Sequence, residues 1–347
     1  MNVRILEFLA CPNCGAELRL AERPAAGSSN GKVHDGQLSC AKCPTVFPIV
    51  RALPRFVPSE EYAGSFGYQW NQFDKLQLDR FLRSDLSRER FYATTGWPSR
   101  MEGQNILEAG CGMGRFTAIA AETGAEIFSF DLSSAVEANF RNNGAAANVH
   151  IFQASLYEIP LRREMFDKIF CLGVLQHCPD VKRAFLSLIP YLRRGGEIVV
   201  DVYQRDPFVP ALKYWARPLV TWMGAQKIHT ILRWTIPPAF ELKKALSKVP
   251  AVGNMLGKLI PIGPISHKPK LDLTDEQLKA IKVLSALDML SPIHDHPQRL
   301  EDVRGWFEDA GLTLLRLKAG FNGINAKGKK AQSPAVARGE HGGAAIQ

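Results

Sequence analysis

The chain lacks any apolar run long enough to cross a bilayer. Its longest uncharged stretch, Asn142 to Tyr157, is rich in Asn and contains His150, whereas a spanning helix needs about 20 mainly apolar residues. An export signal is also missing: Met1 to Ala10 is apolar but short, and Arg4 and Glu7 interrupt it. Cysteines number seven, an odd count, which without an export signal argues against a disulfide framework and for reduced thiols or metal ligands. These absences predict a cytoplasmic protein. Acidic residues are scarce in one place. Residues 205–270 hold 11 Lys and Arg against 2 Asp and Glu, which equals the whole net charge of +9, while the other segments nearly cancel. The basicity therefore belongs to one segment and is a clue to a partner.

What is present is organised around Asn105 to Arg115, NILEAGCGMGR. Ile106, Leu107 and Glu108 read as a buried strand. Gly110, Gly112 and Gly114 then alternate with Cys111 and Met113 before an apolar-periodic helix begins near Phe116. Glycines at this spacing allow a sharp turn and a close approach of ligand to main chain. A loop that opens a helix also offers unpaired N–H groups. The dinucleotide fingerprint wants its third glycine one place later, where Arg115 stands. An adenosyl ligand without a pyrophosphate fits better.

Downstream, strands are expected at Glu126 to Phe130, Val149 to Gln153, Lys168 to Leu172 and Glu197 to Val202, with helices at Ser133 to Asn142 and Val181 to Leu192. This alternation predicts an α/β fold with a doubly wound, mainly parallel sheet and a ligand at the carboxyl ends of its strands. EAGCGMGRF, Asp131 in FSFDLSSAV, IFQASLYEIPL, FDKIFCLGVLQHCPD and LRRGGEIVVDVY follow in order. Together they resemble the class I S-adenosylmethionine-dependent methyltransferases, from Asn105 to Tyr203, with a family-like last helix and strand pair from Pro297 onward. The resemblance implies a Rossmann-like core and S-adenosyl-L-methionine as cofactor. Its site would be Glu108, Gly110, Cys111, Gly112, Gly114, Asp131, Leu132, Ser155, Leu156 and Leu172.

The individual roles are expectations of the same kind. An acid at Asp131 can accept both ribose hydroxyls; capping the helix at Ser133 is the alternative. Glu108 is expected to orient the loop or to reach the methionyl amino group. Many relatives carry Asp where this chain has Ser155, which can still accept from adenine, with the Leu156 N–H serving the ring. Leu172 would offer its carbonyl near the methionyl group. His177 is the candidate catalytic base, since imidazole titrates near neutrality; a structural histidine is the favoured reading.

Before the core, Cys11 and Cys14 form one C-x2-C turn and Cys40 and Cys43 another. Two such turns complete a closed, four-thiolate structural zinc site, which would fold a module too small to hold itself together. CPNCG…CAKC…FPIVRALPRFVP resembles the small zinc-ribbon-like domain that activates or precedes some methyltransferases. Phe66, Tyr68 and Trp70 precede a helical pattern from Phe73 to Thr94. They either lie over the site's mouth or, the favoured reading, pack the helix on the core.

In the basic segment, Leu212, Trp215, Leu219 and Met223 recur at helical spacing, as do Leu242, Ala245, Leu246 and Val249, with Trp222 and Trp234 added. Basic, Trp-bearing amphipathic helices suit an anionic membrane surface; an ordinary lid is the equal alternative. His294 and His296 flank Asp295 with no third ligand evident, so lining a pocket or holding the loop is preferred to metal.

Six segments result: a zinc-ribbon-like module (1–57), a linker with N-terminal helices (58–104), the methyltransferase core (105–204), a helical basic insertion or lid (205–296), a closing helix with strands (297–325) and a disordered tail (326–347). The expected function is methyl transfer to a small-molecule, lipid-linked or surface-polysaccharide acceptor, with the protein cytoplasmic and peripheral on the inner membrane face. A ribosomal or other RNA methyltransferase and a non-catalytic cofactor-binding scaffold are the alternatives.

Overall fold

The computed structural model describes residues 1–21, 33–205, 220–249, 260, 262 and 273–332. Four short strands come first: β1 (Leu18–Leu20), β2 (Gly36–Cys40), β3 (Val46–Val50) and β4 (Leu53–Pro54), paired antiparallel in sequence order. Three helices follow, α1 (Gly64–Gln72), α2 (Asp79–Leu82) and α3 (Leu86–Thr95). The expected continuous helix from Phe73 to Thr94 is therefore broken. Asp79 accepts from the N–H groups of Ser87 and Arg88, both at 2.9 Å, and so starts a new helix instead of continuing an old one.

The main sheet has seven strands. They are β5 (Asn105–Ala109), β6 (Glu126–Asp131), β7 (Val149–Gln153), β8 (Phe166–Leu172), β9 (Leu192–Val202), β10 (Leu312–Gly320) and β11 (Gly323–Lys330). Their order is β10-β11-β9-β8-β5-β6-β7. β5 to β9 run parallel, and β11 lies antiparallel to both β9 and β10. Parallel strands buried on both faces read as unbroken apolar runs, and every residue of β7 is buried. Helices α4 (Arg115–Ala121), α5 (Ala135–Asn143), α6 (Val181–Leu186) and α9 (Leu300–Asp309) accompany the strands. The chain reverses its direction of travel across the sheet at β5, between β6 and β8, which opens a crevice there.

Two expectations are corrected here. The helix foreseen from Val181 to Leu192 stops at Leu186; Pro190 lacks the N–H that a continuing helix needs, and it sits in a separate 3-10 turn at Ile189–Tyr191. The tail foreseen from residue 326 begins later. Residues 326–330 complete β11, and Ala326 is fully buried opposite Val200. Gly, Ala and Lys carry little strand propensity; pairing on both sides holds them extended. Residues 333–347 of that tail lie outside the described residues.

Of the basic insertion, α7 (Ala225–Leu246) and α8 (Asp275–Leu290) pack on each other and on α1. Leu212, Trp215, Pro218 and Leu219 lie outside the described residues. The cysteine-bearing module is not a separate bead. Leu9 bridges Leu161, Ala10 donates its N–H to the Pro160 carbonyl at 3.0 Å, and the Phe8 ring lies 4.3 Å from that of Phe128. Ile5, Leu18 and Leu38 of the module share one core with Phe128, Phe152 and Phe166 of the sheet.

Candidate active site

A pocket opens at the carboxyl ends of β5, β6 and β8. Gly110, Gly112 and Gly114 all have positive φ, at +77°, +51° and +86°, which only glycine adopts without strain. At Gly110 a side chain has no room, since a Cβ would fall 2.5 Å from Val174. Four of the N–H groups in this loop are taken, while those of Met113 and Arg115, where α4 begins, make no bond among the described residues. Gly110 and Cys111 both donate to the Phe130 carbonyl, Gly112 donates to Asp131 and Gly114 to the Cys111 carbonyl. These four bonds fix the turn of the loop against β6.

Asp131 ends β6 and lines the pocket. Its carboxylate accepts from the Gly112 N–H at 2.9 Å on one oxygen, and from the N–H (2.9 Å) and hydroxyl (2.7 Å) of Ser133 on the other. The bonds to Ser133 are those of the capping role, and the residue also borders the pocket. It caps the next turn, ties the glycine loop down and faces the cavity. Burial pushes its pKa up, opposed by those hydrogen bonds. Gly110, Cys111, Gly112, Leu132, Leu156 and Leu172 line the pocket as well.

Three expected contacts lie elsewhere. Ser155 turns its hydroxyl to the N–H of Tyr157 at 3.2 Å, and its neighbours Ala154 and Leu156 form the wall instead. Gly114 gives its carbonyl to Asn143 at 2.8 Å, and a Cβ there would fall 2.1 Å from Asn139, so it serves the close approach of α4 and α5. Glu108 stands behind the loop, where its carboxylate accepts from the hydroxyls of Thr117 and Ser129. Asn139 donates to both hydroxyls, and burial pushes the Glu108 pKa up to about 7. Glu108 therefore ties β5 to α4 and β6 behind the loop.

His177 lines the pocket. Its Nδ1–H donates to the His294 carbonyl at 2.9 Å, and its ring lies 4.9 Å from Phe66 and 5.4 Å from Tyr203. Backbone groups of His294 and His296 tie their loop to the turn that carries His177, since the His296 N–H also donates to the Gln176 carbonyl at 2.8 Å. Phe66 and Trp70 reach the pocket while Tyr68 packs on His229, so the aromatic run divides between its two readings. Sequence reasoning missed the polar end formed by Gln77, Arg90, Arg115, Tyr203, Asp288 and Asn322. Arg115, next to the last glycine, was within reach of it. The Arg115 guanidinium is bonded to Gln77 at 2.7 Å and lies over Phe116; burial and the neighbouring Arg90 bring its pKa down to about 9.

Across the molecule, the sulfurs of Cys11, Cys14, Cys40 and Cys43 all lie within 4.8 Å of one another. Measured separations are 3.4 Å for Cys14–Cys40, 3.6 Å for Cys14–Cys43 and 3.7 Å for Cys11–Cys43. Tetrahedral zinc with Zn–S bonds of about 2.3 Å needs edges of roughly 3.8 Å. The Cys40 sulfur also accepts the N–H groups of Lys42 and Cys43 at 3.4 Å. This donor set fits zinc.

Comparison with known proteins bears on both parts. Residues 107–200 match the family described as methyltransferase domain, and residues 2–51 match the family of Trm112p-like proteins. An uncharacterized protein of Synechococcus sp. is 35% identical over 231 residues, 64% of this chain and 50% of that protein. A ubiquinone biosynthesis O-methyltransferase of Alkalilimnicola ehrlichii is 30% identical over 110 residues, 31% of this chain and 44% of that one. The solved magnesium protoporphyrin IX methyltransferase of Synechocystis PCC 6803, with bound SAH, aligns at a TM-score of 0.42 and 14% identity, over 78% of this chain and 98% of that one. The chain spans about half the length, or less, of the curated relatives it matches. A methyltransferase core and a zinc-ribbon-like module are both present, as the sequence implied.

Proposed function

We propose that this chain, whose residues 107–200 are a methyltransferase domain and residues 2–51 a Trm112p-like module, transfers a methyl group from S-adenosyl-L-methionine to a small or lipid-linked acceptor. The observation that carries the reading is the continuity of one pocket. It runs from Asp131 and Leu132, past Gly110 and Leu172, to a polar end at Arg90, Arg115 and Tyr203. The cofactor, when bound, supplies a methyl group already activated by its sulfonium.

The protein's work is alignment and exclusion of water, and effective alignment alone supplies about 7–11 kcal/mol in favourable cases. Asp131 retains acceptor capacity for a ribose hydroxyl beyond the bonds from Gly112 and Ser133. Leu132 and Leu156 flank the adenine end, and the Leu172 carbonyl marks the methionyl end. Phe66 and Trp70 keep water out. His177, fixed through Nδ1, walls the acceptor side. A lipid-linked or surface-polysaccharide intermediate is the acceptor favoured, because the basic helix α7, which packs on α1, exposes Trp234 at 80%, and Trp222 just before it is 85% exposed.

An RNA acceptor is the second reading, supported by the net charge of +9 and by the Trm112p-like module. The basic stretch interleaves Trp with Leu and Ile, which suits lipid better than a phosphate backbone. A non-catalytic scaffold is disfavoured by the intact glycine loop and Asp131.

Calorimetry with S-adenosylhomocysteine tests the cofactor site. Wild type should bind, and Asp131→Ala should lose about 10- to 100-fold in affinity, as expected for a charge-assisted hydrogen bond. Wild type that does not bind sinks the reading. Tritiated methyl transfer to a lipid extract or to total RNA then separates the acceptors, according to which fraction takes up the label.

A further inference from the structure

α7 is apolar on two sides. One side packs into the protein: Ala225 and Ile228 are buried with Leu287 of α8, beside Tyr68 and Phe73, and Ile236 and Phe240 are buried farther along. The other side carries Lys227, Ile231, Trp234, Pro238, Leu242 and Ala245 at steps of four, three, four, four and three residues, which places them on one stripe of the helix. All six are exposed. Val249 continues the stripe in the turn beyond the helix and is 51% exposed. From Ile231 to Ala245 the stripe runs about 21 Å. A helix apolar on both sides is ordinarily buried on both; among the described residues nothing covers the outer one.

Charge says what could. Between residues 220 and 249 the single acid is Glu241, and it is paired with Lys279 at 2.7 Å. Lys227, Arg233 and Lys248 are exposed and make no ion pair among the described residues. A second copy of this face would set like charges against each other around a two-fold axis. An anionic bilayer meets both requirements, since tryptophan prefers the interface, lysine and arginine meet its headgroups, and the apolar stripe enters the acyl boundary. No helix among the described residues is long and apolar enough to cross a membrane, so this one would lie in the plane.

We propose that the outer stripe of α7, together with the exposed Trp222 just before the helix, docks this protein on an anionic lipid surface. The placement matters for the pocket. α7 rests on α1 through the Tyr68 hydroxyl and His229, 2.8 Å apart, and α1 contributes Phe66 and Trp70 to the pocket wall. Docking therefore sets the wall of the acceptor site one helix diameter, about 10 Å, from the lipid. The proposal deepens the lipid-linked reading of the acceptor and rests on it for its meaning, though the docking itself is measured without catalysis.

The test is flotation of the full-length, zinc-loaded chain with vesicles of phosphatidylcholine alone, or mixed with phosphatidylglycerol. Three proteins are compared: wild type, Trp222→Ala with Trp234→Ala, and Lys227→Glu with Lys248→Glu. Circular dichroism and S-adenosylhomocysteine binding check that each variant is folded. Wild type should float with the mixed vesicles and not with the neutral ones, and each variant should lose at least tenfold in partitioning with unchanged S-adenosylhomocysteine affinity. Three results overturn the proposal. Wild type stays at the bottom, or the tryptophan variant floats like wild type, or light scattering finds a dimer that the tryptophan variant turns into a monomer. Flotation as expected without any S-adenosylhomocysteine binding leaves the docking face standing and removes the methyltransferase reading.

Discussion

Glu108 sits beneath the glycine loop with hydroxyls for partners, and burial raises its pKa from the usual carboxylate range to about 7. The native state therefore binds a proton that the unfolded chain has released, between pH 4.5 and about 7. In that window stability falls as pH rises, and above it the loss is complete. Glu108→Gln should remove this dependence. Relative to wild type it should be more stable by on the order of 2 kcal/mol at pH 8 and not at pH 4, read from urea unfolding at the two values. A second residue-scale prediction concerns His177. Its bond to the His294 carbonyl and its contacts with Phe66 and Tyr203 hold its ring in the pocket wall. His177→Gln should then keep at least about a tenth of kcat, whereas a general base would cost about 100-fold or more. Sequence gave the identity of both residues but not their facing. Glu108 is next to the loop in the chain and behind it in space.

At the scale of elements, the cysteine module reaches the pocket through a short chain of hydrogen bonds. Arg55, just after β4, donates to the Gln153 side chain at 2.8 Å and to Glu137 at 2.8 Å. Gln153 at the end of β7 donates in turn to the Leu132 carbonyl at 2.7 Å, and Leu132 lines the pocket. Arg55→Ala leaves the buried Gln153 side-chain oxygen without this donor and Glu137 with Arg51 alone, at 3.6 Å. It should weaken S-adenosylhomocysteine binding about threefold to tenfold; unchanged affinity by calorimetry would sever this link. The helical elements teach a complementary lesson. Apolar spacing from Phe73 to Thr94 suggested one helix, but Asp79 and Ser87 take backbone partners and divide it, and Phe81 is left 44% exposed.

For the whole molecule, the module and the main sheet share one hydrophobic core, in which Ile5, Leu9 and Leu38 are at most 1% exposed beside Phe128 and Phe152. Burying each such side chain is worth about 1.5–3 kcal/mol, so the module cannot come undone without exposing the sheet's own core. Removing zinc with a chelator should therefore lower the melting temperature of the entire chain in one transition. A separate early transition, with the main melt unmoved, would mean that the module unfolds alone.

Several features were determined by sequence alone because they depend on short spacing. The two C-x2-C turns, the GxGxG loop between strand and helix, and the alternation of strands with helices each lie within a few residues, and local geometry does the rest. Tertiary structure decided what distance in the chain conceals. It turned Ser155 and Gly114 away from the cavity and brought Arg115 and Asp288 to the same pocket. It also drew residues 326–330, which have no strand signature, into the middle of the sheet between β9 and β10. Pairing on both sides and burial, rather than propensity, hold that strand, and neither can be read from a neighbouring residue.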